Sequence, residues 1–378
     1  MAQLKVVKSD IPYAGSNRTV FGVFDTINHR PHLAATAFLL RKTLNGARPN
    51  TLRTYAYSLA NFLMTIEEDP DIGNWDGVGD EILHAYFEHI LVGEKNLSGK
   101  SLELTRTVII DFYNWANAYG WSPKKRTLSW GSVESIQNRI KIDLARDNSI
   151  DRFKLFTQYI PENEFNELLA WVPTKSEFEK QRDMICLKLG YLSGWRRSEI
   201  VDPKNIAVTR FRKAINDANQ KNQLGFNLNI IGKGRGAGKV RQVYIPQRLR
   251  EDIEGFIDGA HHKHGHSRLL ICKRSGDPLG MHHTTYLFDH ARKALICGQV
   301  PDSLNAWMRS TARCFHSLRH SYATNMARYL IENDLPLTIL QELMGHTDIE
   351  TTYAYVHFLD ALQERTEAHS PRECFTVV

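Results

Sequence analysis

The stretch that most constrains the fold is Leu343-Met344-Gly345-His346-Thr347-Asp348-Ile349-Glu350-Thr351-Thr352-Tyr353-Ala354-Tyr355-Val356-His357. Gly345 is placed to end a helix that opens near Pro336, since glycine takes the left-handed cap conformation without side-chain strain. His346 then falls in a turn. Thr351 or Thr352 can cap a new helix carrying Tyr355, Phe358 and Leu359. A histidine and, nine residues on, a tyrosine are thereby set on two short helices. Both can act on a phosphate, and that use demands cations from elsewhere in the chain.

A chain of 378 residues has material for two or three domains, each with its own core. Lysine and arginine number 48 against 42 aspartate and glutamate, a net charge of +6 that permits a nucleic-acid partner without requiring one. Five cysteines are odd in number and widely spread, without zinc-type spacing, so reduced thiols are expected. No apolar leader or run of spanning length stands out, so a soluble cytoplasmic protein with no membrane partner is expected.

Residues 1–45 read as an arm or as an extension of the following domain, with Val20 to Phe24 as a short strand and Thr36 to Lys42 as a helix. From Arg48 the pattern sharpens. Leu52, Tyr55, Leu59, Phe62, Leu63 and Ile66 recur at helical spacing. A second helix, Glu81 to Leu91, places Ile82, Tyr86, Ile90 and Leu91 on one face. A third, Leu102 to Tyr119, turns Leu104, Val108, Ile109, Phe112, Trp115 and Ala116 inward, and Gly120 ends it. Residues 46–122 thus form a small helical domain whose aromatics are core. Pro123-Lys124-Lys125-Arg126 begins a polar, basic linker, 123–158.

A second domain, 159–365, precedes a tail, 366–378. Glu162 to Trp171 is helical. Phe178 to Leu192 is an apolar helix stopped by Gly194, and Trp195-Arg196-Arg197-Ser198-Glu199 follows. Arginines directly after a buried helix need an anion or a carboxylate; Glu199 is the bland partner for Arg196. Phe226 to Ile230 and Lys239 to Ile245 alternate as paired strands around Gly232-Lys233-Gly234-Arg235-Gly236-Ala237-Gly238. That loop lacks the Gly-Lys-Ser/Thr ending of a nucleotide loop; a hairpin presenting a lysine to DNA fits it better. Gln247 to Ile257 and Thr284 to Ala294 are helical, and Leu269 to Cys272 is a short strand. His261, His262, His264 and His266 have no carboxylate or cysteine at ligand spacing, so a polar loop explains them better than a metal. In Phe315-His316-Ser317-Leu318-Arg319, His316 and Arg319 share one helix face, while Leu318, Tyr322, Met326 and Leu330 form its buried stripe. Ile339, Leu340 and Leu343 face inward on the next helix.

Taken together, Gly194-Trp195-Arg196, Gly232-Lys233-Gly234, His316-Ser317-Leu318-Arg319, Met344-Gly345-His346 and Tyr355 resemble, in order, the signature of the tyrosine recombinase (phage integrase) family. The likeness covers about residues 160–365 by motif and 48–120 by helical pattern. It implies a mainly α fold with a small β-sheet (α+β), in which a helical core-binding domain and a catalytic domain form a C-shaped clamp around DNA. Trp195 and Met344 stand where leucine is common, and the segment from Arg196 to Lys233 is longer than usual. Lys239 therefore competes with Lys233, and Tyr353 with Tyr355, although Tyr355 has the family spacing from His346.

Phosphodiester transfer needs charge on the phosphoryl oxygens, a nucleophile, and a proton for the leaving 5′-oxygen. Arg196 and Arg319 suit the first task. Tyr355 would attack to give a 3′-phosphotyrosine. By resemblance, Lys233 is the general acid, His316 assists proton transfer and His346 donates to the phosphate. No cofactor, metal or ATP is expected. The resemblance implies a site-specific recombinase, an integrase or transposase of a mobile element, nucleoid-associated and tetrameric on paired sites in double-stranded DNA, with accessory proteins possible. Arg48, Arg53, Lys100, Arg106, Lys124, Lys125, Arg235, Lys239 and Arg241 are candidate DNA contacts. The alternatives are a type IB-like topoisomerase or resolvase, and a DNA-binding regulator without chemistry. The apolar stripe Phe358, Leu359, Leu362 packs on its own domain or docks on a neighbour.

Overall fold

The computed structural model describes residues 3–122, 155, 157–173, 175–232, 238–298, 313–346 and 349–368, with side chains described as far as 359. The chain divides into two units, Met1–Ser149 and Ile150–Val378. Most of the linker read from the sequence, with Lys124 and Lys125, lies outside the described residues.

The first unit opens with strands β1 (Leu4–Tyr13) and β2 (Ser16–Asp25), an antiparallel pair in register from Leu4↔Asp25 to Tyr13↔Ser16. A two-residue strand β3 (Arg30–Pro31) completes the sheet. Helices α1 (Leu33–Leu44), α2 (Pro49–Glu68) and α4 (Gly99–Ala118) pack together, and α1 and α2 also cover β2. Between them, the short helix α3 (Asp80–Ala85) continues through wider π-type turns, Tyr86–Glu94. Phe21 and Val23 of β2 share one core with Phe38, Phe62, Phe112 and Tyr113, so the first 45 residues are structurally part of this unit. The β1 face is mostly exposed, which explains its weak alternation in sequence. His32 ties the unit together: its Nδ1 accepts from the Ala35 N–H to cap α1, and its Nε2 donates to Glu67 at the end of α2, 2.9 Å away. Leu104, expected inward on α4, is instead 43% exposed. It lies between the buried positions Leu102 and Thr105, one residue off the stripe.

In the second unit, α5 (Glu162–Ala170) precedes the buried helix α6 (Glu177–Ser193). Then come the single turn α7 (Arg197–Ile200), α8 (Val208–Gln220) and the hairpin β4 (Phe226–Gly232)–β5 (Lys239–Ile245), paired from Phe226↔Ile245 to Gly232↔Lys239. Helices α9 (Gln247–Asp258), α10 (His283–Cys297), α11 (Phe315–Glu332), α12 (Thr338–Met344) and α13 (Glu350–Ala368) follow. The expected strand at Leu269 to Cys272 is reduced to single bridges, Ala207↔Arg268 and Ile271↔Pro278. Leu269, Leu270 and Ile271 are all fully buried, so their apolar run reflects burial rather than strand pairing. Helix α6 runs through the core and packs on α9 and α11. A second cluster joins Tyr322, Leu330, Leu340 and Met344 to Tyr355, Phe358 and Leu359. Phe358 and Leu359 therefore pack on their own domain. Ile339, expected inward, is 37% exposed, and Met344 takes the buried place. Among the described residues no helix is long and apolar enough to cross a membrane.

Candidate active site

Two helix ends build the site. Helices α6 and α12 both stop at a left-handed glycine, Gly194 (φ 63°) and Gly345 (φ 61°). Neither position has room for a side chain. A Cβ on Gly194 would stand 2.4 Å from the Tyr322 ring, and one on Gly345 would stand 2.9 Å from Arg241 Cδ. These stops leave the last carbonyls of each helix without helical partners, at the negative end of its dipole. Arginines fill that place. Arg319 donates to Gly194 O and Met344 O. Arg196 donates from Nη2 to Met344 O at 3.0 Å. Arg241 donates from Nη2 to Gly194 O at 3.1 Å and from Nη1 to Leu343 O.

One carboxylate sits among the three guanidiniums. Glu199 accepts from Arg196 Nη1 at 2.8 Å, from the Arg196 backbone N–H at 2.7 Å, and from Arg241 Nη2 at 2.7 Å. Burial alone would raise its carboxyl pKa; the hydrogen bond and charge of Arg241, the Arg196 N–H and the charge of Arg319 outweigh that and hold it below the ordinary value. Three positive groups against one negative leave two charges uncompensated among these four side chains. The strain shows at Arg319. Burial first, then Arg241 and Arg196, pull its guanidinium down to about 9, although Glu199 pushes the other way. A site of this kind is completed by an anion.

The tyrosine and three histidines stand beside this cluster. Tyr355 is 5% exposed, and its hydroxyl lies 2.9 Å from Nδ1 of His320. Burial raises the phenol to about 12, against the pull of Arg319 and Arg196. The His346 ring lies parallel to the Tyr355 ring, within 8° at 6.3 Å between centroids. Its Nδ1 is engaged by the buried Thr352 hydroxyl at 3.0 Å, which leaves Nε2 for a ligand. Desolvation, then Arg319, Arg196 and Arg241, lower His346 to about 4. His316 opens to solvent on α11 and meets His320 edge to face at 4.6 Å. Desolvation, followed by the charges of Arg319, Arg196 and Arg197, lowers it to about 4 as well. Both of these imidazoles are therefore neutral at pH 7 and can donate or accept without adding charge.

Of the residues singled out in the sequence, Arg196, His316, Arg319, His346 and Tyr355 converge here. Lys233 and Arg235 lie outside the described residues. Gly232, the last described residue before them, is pressed onto the cluster: a Cβ there would come 2.9 Å from Glu199 Oε1. Lys239 pairs with Gly232 across the hairpin and is exposed. Tyr353 is 41% exposed on the other side of its helix turn. Arg241, expected as a DNA contact, is instead buried with its donors spent on Glu199, Gly194 and Leu343, because β5 alternation turns it inward beside Val243 and Ile245. Arg106 is paired with Glu103 at 3.3 Å, whereas Arg53 is exposed over the Tyr57 ring, 5.8 Å from its centroid. Lys100 is exposed and Arg48 half-buried. Sequence reasoning missed His320 and Arg241 as members of the site. Inward alternation with Val243 was the available signal for Arg241; His320 carried none beyond its place next to Arg319.

Comparison with known proteins bears on the same region. The model of the phage integrase family matches residues 158–361, more than half of the chain. Tyrosine recombinase XerD of Staphylococcus saprophyticus is 28% identical over 199 residues, which are 51% of this chain and 57% of that protein. The chain thus spans little more than half the length of that relative. A crystal structure of XerH site-specific recombinase bound to its difH substrate before cleavage superposes with a TM-score of 0.57 at 16% identity, covering 88% of this chain and 82% of that one. A lambda integrase tetramer bound to a Holliday junction gives 0.53 at 14% identity, over 86% and 76%. At these identities the two structures speak for the fold.

Proposed function

Since the chain belongs to the phage integrase family, we propose that it is a site-specific DNA recombinase that cuts and rejoins DNA through a 3′-phosphotyrosine. The observation that carries the proposal is a buried phenol set beside a cluster of three arginines that holds more positive charge than Glu199 balances. In this reading a phosphodiester completes the cluster. Arg196 and Arg319 bind its nonbridging oxygens, and His346 donates from Nε2. Tyr355 Oη attacks phosphorus. The bond to O5′ breaks, and Lys233 protonates the leaving oxygen, a role supported by the position of Gly232 against Glu199. His316, solvent-facing and neutral, assists that proton transfer. The ester keeps the energy of the broken bond, so a free 5′-hydroxyl can reverse the step without ATP. The arginine cluster supplies the charge stabilisation that metal ions give in other phosphoryl transfers.

The substrate in this reading is double-stranded DNA with paired sites, handled by a tetramer in the cytoplasm on the nucleoid. The XerH and lambda integrase structures, titled as complexes with DNA, support it by their shared fold. Residues 46–122 grip DNA together with the catalytic domain, 159–365. Arg53 with Tyr57 and Lys100 are their exposed contact groups, and Lys239 is that of the catalytic hairpin. The test is covalent trapping. The protein is incubated in EDTA with duplex DNA carrying both ends of the element around its gene, then denatured, digested and read by mass spectrometry. A nucleotide on Tyr355 is expected. An adduct on Tyr353 would move the nucleophile. Tight binding with no adduct on any tyrosine would leave a DNA-binding regulator. Supercoil relaxation without strand exchange would make it a topoisomerase.

A further inference from the structure

Tyr355 has a hydrogen-bond partner outside the set used above. Among the described residues its hydroxyl is met by Nδ1 of His320 at 2.9 Å, with the two rings tilted 38° and 6.0 Å apart. Neither of the other two histidines takes this place. His346 stacks on the phenol face and commits its Nδ1 to Thr352; His316 packs its ring against His320. His320 is half-buried, and the groups facing it are His316 and Arg319 on its own helix, His346 from the turn after α12, and Tyr355 from α13. Desolvation, then His316, Arg319 and His346, lower it to about 3, so the ring is neutral and its Nδ1 lone pair can accept the phenolic hydrogen.

We propose that His320 is a further catalytic residue, the acceptor of the Tyr355 proton when Oη attacks phosphorus. The inference rests on the recombinase reading given above. In the step, the Oη–P bond forms and the P–O5′ bond breaks. The phenolic proton passes to His320 Nδ1, and the leaving O5′ takes a separate proton from the general acid. Religation runs the same path backwards: O5′ attacks, the Oη–P bond breaks, and His320 returns its proton to Oη. In the empty site the phenol is far less acidic than the imidazolium. Two changes reverse that order during reaction. The bound phosphodiester brings negative charge beside Arg319, which relieves the repulsion on His320. The phenol oxygen loses electron density to phosphorus as the bond forms, and its proton becomes strongly acidic.

The experiment is single-turnover adduct formation by the full chain on the same duplex in EDTA, from pH 6 to 9, comparing the wild type with His320→Asn and His320→Ala. Asparagine offers an oxygen near the position of Nδ1, so it keeps the tyrosine placed, but it cannot hold the proton. Its rate should fall about 10²-fold near neutrality and climb with pH as the phenol ionises unaided. His320→Ala should fall at least as far. A His320→Asn rate equal to wild type at every pH would reduce His320 to a positioning residue and overturn the proposal, as would a full rate for His320→Ala. Melting temperature and DNA affinity check that both variants fold. Should they not fold, wild-type protein with a fluorinated tyrosine at position 355 decides. The acidic limb of its rate profile stays in place if His320 accepts the proton, and shifts with the phenol if it does not. Absence of any tyrosine adduct in the wild type would defeat the recombinase reading itself. A wild-type adduct with unimpaired His320→Ala would defeat this inference alone.

Discussion

The two units bury different things. Among its described residues the first buries no charged side chain; its core is Phe38, Phe62, Phe112 and Tyr113 with aliphatic neighbours. The second buries several. Arg182 meets Asp183, Lys188 meets Asp252 and Arg313 meets Glu164, one carboxylate for each cation. At Glu199 that balance fails, with Arg196, Arg241 and Arg319 around one carboxylate. Matched pairs are what a fold needs to bury charge at all. A mismatched cluster is carried by the rest of the structure, and it identifies the place where a ligand charge belongs. The described residues of the aromatic unit form no such buried cluster, and its buried side chains are explained by packing.

The largest expected effect lies at the nucleophile. Tyr355→Phe should lower covalent adduct formation by roughly 10⁴-fold or more while removing only one hydrogen bond, about 1 kcal/mol, from the fold. Mass spectrometry of the trapped complex and a melting curve read the two sides, and an undiminished adduct would sink the assignment.

Next come two truncations of similar cost and different cause. Glu199→Ala uncovers buried guanidiniums and should destabilise by about 3–5 kcal/mol. Phe62→Ala opens a cavity and should cost about 3–5 kcal/mol. Sulfate or phosphate should recover part of the first loss and none of the second in denaturant titrations. Equal recovery would erase the distinction between an anion site and a packed core.

Acid should separate the units further. His316 and His346 at about 4 and His320 at about 3 lie below the ordinary 6.5. Between those values the unfolded chain binds more protons than the folded one. The stability they contribute is therefore complete above about pH 6.5 and is lost as the pH falls towards 4. The depressed carboxyl of Glu199 acts in the same direction below its ordinary 4.5. Hydrogen exchange on the full chain between pH 7 and 4 should open the second unit first; earlier opening of the first unit would contradict this.

The smallest effect is on the surface of the aromatic unit. Leu104→Gln should change stability by no more than about 0.5 kcal/mol, whereas Leu59→Ala in the same core should cost about 2–5 kcal/mol. A large loss at Leu104 would mean that α4 is turned differently.

What was legible followed from local rules. Apolar spacing placed α2, α4, α6 and α11, and alternation placed β4 and β5. Glycine marked both helix stops, at Gly194 and Gly345, and the five motif residues outside the hairpin tip meet in one site. The misses have physical causes. Leu104 and Ile339 are single apolar residues at the edge of a stripe, where a turn of about 100° per residue separates buried from exposed. Strand β1 shows most of its side chains to solvent and so lacks a hydrophobic period. Arg241 reads as a surface cation until its partner Glu199, 42 positions away, is brought beside it. His320 becomes meaningful only when α13 lays Tyr355 against α11.

The base of the β4–β5 hairpin has a consequence for how such a chain can be altered. Gly232 is held against Glu199, and Arg241 is locked to two helix ends, so the last rungs of the ladder are anchored to the arginine cluster. Side-chain period in a strand is two residues, so removing or adding one residue within β5 would turn Arg241 to the opposite face and strip Glu199 and both helix ends of a guanidinium at once. The hairpin therefore tolerates exchange of the side chains on its exposed face, and does not tolerate a change in strand length.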